Sequence, residues 1–303
     1  MNLRSFRLVP TLVGVALLGP ACGGSEDATS PSGDCPVDAV EVVATVNQWG
    51  DITQQLGGDC ASVTTVITGT GADPHDFEPT PGDLVAFEEA DLVVRNGLGY
   101  DEWATRATDT ARAEPAVVDV GLLVGAEAGD NPHLWYSPEA VTDAGEAITR
   151  QLSEAAPGAE AYLADRATEF QQALAPYEAQ LERIRREEAG ASVAATEPVA
   201  EPLIEAAGLV ELTPDGYRNA AAGESEPAPG DLAEFRQLID SGEISALIVN
   251  TQSSGSAAEQ LRSLAEDRNI PIVEVTETIP EDVDGFVDWQ VGQLRRLAEA
   301  LDS

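Results

Sequence analysis

Positive charge is what this chain has least of. Its 303 residues carry 16 basic side chains against 54 acidic ones, a formal net charge of −38, and lysine is absent, so every basic residue is arginine. Such a balance repels a phosphate backbone, which excludes nucleic acid as a partner. Histidine is nearly absent, with two copies, and cysteine occurs three times with no CxxC pair, so a thiolate metal site has no framework. No HExxH motif occurs, which removes the commonest helix-borne zinc-hydrolase signature. The apolar run from Leu8 to Leu18 is too short to span a membrane.

What is present begins with that run. Arg4 and Arg7 precede it, and Leu18-Gly19-Pro20-Ala21 brings small residues up to Cys22, so residues 1–21 are expected to be a secretory signal. The small residues before Cys22 resemble a bacterial lipobox, in which Cys22 becomes the lipidated first residue of the mature chain. Residues 22–37 then read as a flexible tether, because Gly23 to Gly33 is made almost wholly of small and polar residues. Removing residues 1–21 takes away Arg4 and Arg7 and no acid, so the formal charge moves from −38 to −40. An acidic surface raises the local concentration of cations, although it equally describes a well-solvated protein. Disulfides persist outside the cytoplasm, so Cys35 and Cys60 are expected to pair and to pin the end of the tether.

The remaining length suits two domains, and the sequence repeats itself accordingly. Glu78-Pro-Thr-Pro-Gly-Asp-Leu84 recurs as Glu226-Pro-Ala-Pro-Gly-Asp-Leu232. Each copy precedes a helical stretch and an apolar strand ending in asparagine, Leu92 to Asn96 and Ala246 to Asn250. Each copy also sets proline in the first turn of its helix, where proline is tolerated, with an acid beside it. Short apolar runs alternate with helical patterns, which predicts an α/β fold with parallel sheets flanked by helices. Strands are expected at 41–46, 63–67, 91–95 and 116–120, then at 192–195, 246–249 and 272–275. Helices are expected at 138–152 and 287–301. Between the halves, Tyr162, Leu163, Phe170, Leu174, Tyr177, Leu181 and Ile184 recur at helical spacing, which predicts one long connecting helix kinked at Pro176. The domains are therefore drawn as a first lobe at 38–158, a linking helix at 159–188 and a second lobe at 189–303. A helix is a stiffer connection than loose strands and would limit closure.

Both histidines follow proline, in Asp73-Pro74-His75 and in Asn131-Pro132-His133, so each ring would be presented from a pre-set loop. Imidazole is the commonest metal-binding side chain, although a single histidine is more often an ordinary surface or core residue. In α/β sheets, ligands collect at the carboxyl ends of strands. Glu197 follows the strand at 192–195, with Thr196 as a candidate helix cap, and Glu277 follows the strand at 272–275; either also reads as a plain acid at a helix start.

Four stretches carry a resemblance: Asp73-Pro-His-Asp-Phe-Glu-Pro-Thr-Pro81, Asn96-Gly-Leu-Gly-Tyr-Asp-Glu-Trp103, Asn131-Pro-His-Leu-Trp135 and Val275-Thr-Glu-Thr-Ile-Pro280. From Val40 to Leu301 the chain resembles the solute-binding lipoproteins of zinc/manganese ABC transporters. The resemblance implies two α/β lobes joined by one long rigid helix, with the metal in the cleft between them. It implies four ligands, two per lobe: His75, His133, Glu197 and Glu277, with Glu201 one helical turn on as the rival to Glu197. Two imidazoles with two carboxylates form a harder shell than three imidazoles, which shifts preference toward manganese, whereas zinc accepts both donor types and binds more tightly in general.

The interval before His133 also lacks the histidine-rich loop of many zinc-specific members. The implied function is capture of one divalent transition metal ion, Zn2+ or Mn2+, and its delivery to an ABC permease and its ATPase. The protein would be a monomer held to the outer face of the cell membrane through lipid on Cys22, and not an enzyme. Trp135 and Trp103 are placed either to cover the cleft or to serve as plain core, and Tyr217, Asn219 and Glu224 to line its opening. Two other functions compete. A secreted metallohydrolase would keep a coordination position open for water, and a surface adhesin would not need His75.

Overall fold

The computed structural model describes residues 34–69, 77–253 and 255–302. Two four-stranded parallel sheets organise the chain. The first contains β1 (Val40–Val46), β2 (Ala61–Ile67), β3 (Leu92–Arg95) and β4 (Ala116–Asp119), in the order β2-β1-β3-β4. The second contains β5 (Ser192–Ala195), β6 (Val210–Glu211), β7 (Ala246–Asn250) and β8 (Ile272–Val275), in the order β6-β5-β7-β8. Both halves thus use one topology, and in both the order reverses beside the first strand, where ligands gather in open α/β sheets. Seven of these strands fall within a residue or two of their expected bounds. β6 was not foreseen, because two residues carry no period.

The strands form where β-branched residues run together, as in Val40-Glu-Val-Val-Ala-Thr-Val46, which is buried at every position except Glu41. One continuous core runs through both lobes, with Trp49, Trp135, Tyr136, Phe286 and Leu294 nearly or completely buried. The far face of the second sheet has its own cluster, in which Phe235, Ile239, Leu247 and Leu261 pack under helices Pro229–Ser241 and Ser256–Asp267.

The connecting stretch departs from a single kinked helix. It is two helices, Glu160–Ala173 and Ala175–Glu187, which meet at Leu174. The break lies two residues before Pro176 because proline lacks an N–H and is accommodated in the first turn of the following helix. The first piece is fastened beside the first sheet: Arg166 Nε donates to Gln55 O at 3.0 Å and the Asp59 N–H to Tyr162 Oη at 2.9 Å. The second piece lies along the final helix Gly285–Leu301, where Arg183 pairs with Asp302 at 3.1 Å.

Cys35 and Cys60 form a disulfide with Cα atoms 5.1 Å apart. Both cysteines are buried, so the bond ties the start of the described chain to the segment entering β2. Among the described residues no helix is long and apolar enough to cross a membrane. Cys22 and the signal at 1–21 lie outside the described residues.

Candidate metal centre

His133 sits on a loop whose shape follows from its sequence. Asn131 Oδ1 accepts the His133 N–H at 3.0 Å, a local turn that asparagine favours, and Leu134–Tyr136 follow as one tight helical turn. Ser137 then caps helix Pro138–Ala155 by accepting from Ala140 N, with Pro138 in the first turn. Asn96, at the end of β3, donates from Nδ2 to Pro132 O at 2.8 Å and accepts from Trp49 Nε1 at 3.1 Å. The backbone beside His133 is therefore fixed from two sides. The ring is 5 % exposed and lies edge-on to Trp135, with centroids 5.4 Å apart.

Tyr100 arrives from the turn after β3. Asp101 builds that turn by accepting from Thr45 Oγ1 at 2.6 Å, Asn96 N at 2.7 Å and Gly97 N at 2.9 Å. Burial pushes the Asp101 carboxyl above the usual carboxylate range, against the pull of those three donors. Gly97 has φ +80°, and a Cβ there would run into the Asp119 carboxylate, so only glycine serves.

The second lobe contributes carboxylates. Glu197 leaves the end of β5 half-buried, and Glu277 leaves the end of β8 at 4 % exposure. Asn250, the last residue of β7, stands between them and donates from Nδ2 to Glu197 Oε2 at 2.6 Å and to Glu277 Oε1 at 2.9 Å. Its own Oδ1 accepts from Gln252 N at 3.1 Å, and Gln252 Oε1 accepts from the backbone of Glu277 and Thr278 at 2.6 and 2.9 Å. Glu277 Oε2 meets the first lobe, at 3.2 Å from Tyr100 Oη, which donates to it, and 3.6 Å from His133 Nε2.

Three of the four expected residues are thus linked in one place, His133 to Glu277 directly and Glu277 to Glu197 through Asn250. Among the described residues no three His, Cys, Asp or Glu side chains stand close enough together to hold an ion. His75 lies outside the described residues.

A cleft of about 610 Å³ opens from this point. Asp130, Glu197, Glu201, Glu224, Glu226 and Glu277 line it, and its arginine, Arg218, is paired with Asp215 at 2.5 Å. A wall of this charge favours a cation over an anion, and its imidazole and carboxylate donors suit zinc or manganese. Tyr217, Asn219 and Glu224 do line the cleft, and burial, with Glu197 and Glu226 nearby, raises the Tyr217 hydroxyl above its ordinary pKa.

The supporting residues sort differently from their sequence placement. Trp135 is buried against Tyr100 and His133, with centroids 5.0 and 5.4 Å away. Trp103 instead packs with Phe77 and Phe87, at 5.1 and 5.9 Å, as core. Thr196 is not a helix cap: a short turn at Pro198–Ala200 precedes helix Glu201–Ala206, whose N-cap Ala200 makes no side-chain bond. Glu201 accepts from Asn131 Nδ2 at 2.8 Å. Sequence reasoning missed Asn131 and Asn250 as site residues. The position of Asn250 at a strand end, repeated from Asn96, was the available signal.

Comparison with known proteins gives a consistent result. The family model described as "Zinc-uptake complex component A periplasmic" matches residues 42–300. The manganese-binding lipoprotein MntA of Halalkalibacterium halodurans is 32% identical over 157 residues, half of this chain and half of that protein. The metal ABC transporter substrate-binding lipoprotein ScbA of Streptococcus cristatus is 24% identical over 312 residues, 95% of this chain and 96% of that protein. The chain therefore matches half or less of some relatives' length and nearly all of others'. Among solved structures, the periplasmic zinc binding protein TroA from Treponema pallidum superposes with a TM-score of 0.73 at 18% identity, covering 87% of this chain and 99% of that one. A Mn-bound periplasmic metal binding protein from Candidatus Liberibacter asiaticus superposes at 0.71 with 20% identity, covering 87% and 100%.

Proposed function

The chain belongs to the zinc-uptake complex component A family of periplasmic proteins, and from that membership we propose that it captures a divalent transition metal ion, zinc or manganese, outside the cytoplasm and delivers it to an ABC importer. The observation that carries this reading is the approach of His133 Nε2 to Glu277, with Glu197 tied to Glu277 through Asn250, in the lining of an acidic cleft. His75 is proposed as the fourth ligand, so that the first lobe supplies imidazoles and the second supplies carboxylates. With zinc, binding without turnover follows, since four protein donors fill a tetrahedral shell.

The lipid on Cys22 would hold the protein at the outer face of the membrane, where it acts as a monomer and meets the permease that its ATPase drives. The names of the relatives support this reading, as manganese-binding and metal ABC transporter lipoproteins.

The direct test is metal analysis and native mass spectrometry of the chain purified from its own host, followed by competition between Zn2+ and Mn2+. One bound ion per chain is expected, and a chain that binds neither ion would contradict the reading. Metal binding needs neutral imidazole and ionised carboxylate, so protons compete with the ion. Affinity should therefore fall as pH drops below about 6.5, the reference histidine value. Calorimetry giving the same affinity at about pH 7.5 and pH 5.5, on either side of that value, would contradict the histidine ligands.

A further inference from the structure

Asn131 occupies a position that its hydrogen bonds determine without ambiguity. A backbone N–H only donates, so the Asn131 atom 3.0 Å from His133 N is the carbonyl oxygen, Oδ1. The other amide atom is then the NH2 group, and both of its neighbours are pure acceptors: Pro198 O at 2.7 Å and Glu201 Oε2 at 2.8 Å. With Oδ1 so identified, the His133 Nδ1 lying 2.7 Å from it must carry the proton. In neutral His133 the lone pair is consequently on Nε2, the nitrogen that faces Glu277.

All the hydrogen-bonding capacity of the Asn131 side chain is spent, and it is divided evenly. Both acceptances at Oδ1 go to His133 in the first lobe, and both donations from Nδ2 go to the second-lobe segment that follows Glu197. That segment lies 67 and 70 residues further along the chain. We propose that Asn131 is a positioning residue that sets the tautomer of His133 and latches that setting to the seating of Pro198 and Glu201, so the ring is aligned for metal when the two lobes are together.

This rests on the reading of the cleft as a metal site. Glu201, the rival ligand, is assigned instead to holding the latch. Separation of the lobes would free the NH2 end and leave the amide anchored at one end only, which gives release of the ion a structural trigger.

With two histidines in the chain, the full-length protein labelled with 15N-histidine gives a spectrum simple enough to decide the matter. Metal-free wild type at about pH 8, well above the histidine reference value, should show His133 protonated at Nδ1. Asn131→Ala removes both halves of the latch. Its His133 signal should shift to a mixture of tautomers, and Zn2+ affinity should fall by about 10–100-fold, the usual effect of losing a partner of a ligating histidine.

Asn131→Asp separates the halves, because its carboxylate still accepts from Nδ1 but cannot donate to Pro198 or Glu201. It should keep the Nδ1–H signal yet release Zn2+ to a chelator about ten times faster. Retention of the pure Nδ1–H signal in Asn131→Ala would overturn the tautomer half. Release at the wild-type rate from Asn131→Asp would overturn the latch. If wild type binds neither Zn2+ nor Mn2+, the metal reading and the latch fall together, while the spectrum still decides the tautomer.

Discussion

The two halves of the chain share a sheet order and a repeated motif, yet they use them differently. In the first, the side chain of Asn96 at the end of β3 bonds to the Pro132 and Gly97 carbonyls and to the Trp49 indole, and so shapes the loop that presents His133. In the second, the matching Asn250 bonds to Glu197 and Glu277 themselves. The two Glu-Pro-x-Pro-Gly-Asp copies diverge in the same sense. Thr80 and Asp83 form a reciprocal capping box, with Thr80 N donating to Asp83 Oδ2 at 2.7 Å, whereas Ala228 has no side chain to cap its helix. The strand-end asparagine of the first half braces the backbone of the imidazole's loop, whereas that of the second half bonds to the carboxylates themselves. One scaffold thus supplies two donor types, because a strand-end asparagine can brace either a loop or a ligand.

That contrast can be broken most severely at the histidines. His75→Ala should weaken metal binding by more than the 10–100-fold typical of a supporting residue, while Glu78→Ala, an exposed position in the same motif, should leave it almost unchanged. Equal losses by calorimetry would place the ligand on the wrong side chain.

The next effect concerns Asn250. Asn250→Ala should cost about 10–100-fold in affinity, because two carboxylates lose the donor they share. Asn96→Ala should instead act on stability, by freeing a buried carbonyl and indole, at about 1–3 kcal/mol. Thermal melts and titrations on the two variants would sharpen the contrast, and interchangeable results would erase it. The smallest effect on the site is expected from the disulfide. Reducing Cys35–Cys60, which closes a loop of 25 residues, should lower stability by about 3 kcal/mol in denaturant titration and leave metal affinity unaltered.

Much of this was legible in the sequence. Alternating apolar runs placed seven strands, and strand-end positions pointed to Glu197 and Glu277, which Asn250 links, while His75 lies outside the described residues. What escaped depends on distance or brevity. β6 is two residues long, and the break at Leu174 reflects how a helix accommodates the following proline. Asn250 reaches its carboxylates across 53 and 27 residues, a relation that no local pattern encodes. Glu201 accepts from Asn131, 70 residues earlier in the chain, which no local pattern encodes either. Periodicity reports which face of an element is buried, and second partners of ligands are set by the fold that brings distant loops together.

The central claim is that the ion is held by two imidazoles from one lobe and carboxylates from the other. X-ray absorption at the metal edge of the loaded protein tests it directly. The account predicts a shell of nitrogen and oxygen donors with scattering from two imidazole rings, falling to one ring in either His75→Ala or His133→Ala. A shell with sulfur, or one whose imidazole count does not change in those variants, would contradict it.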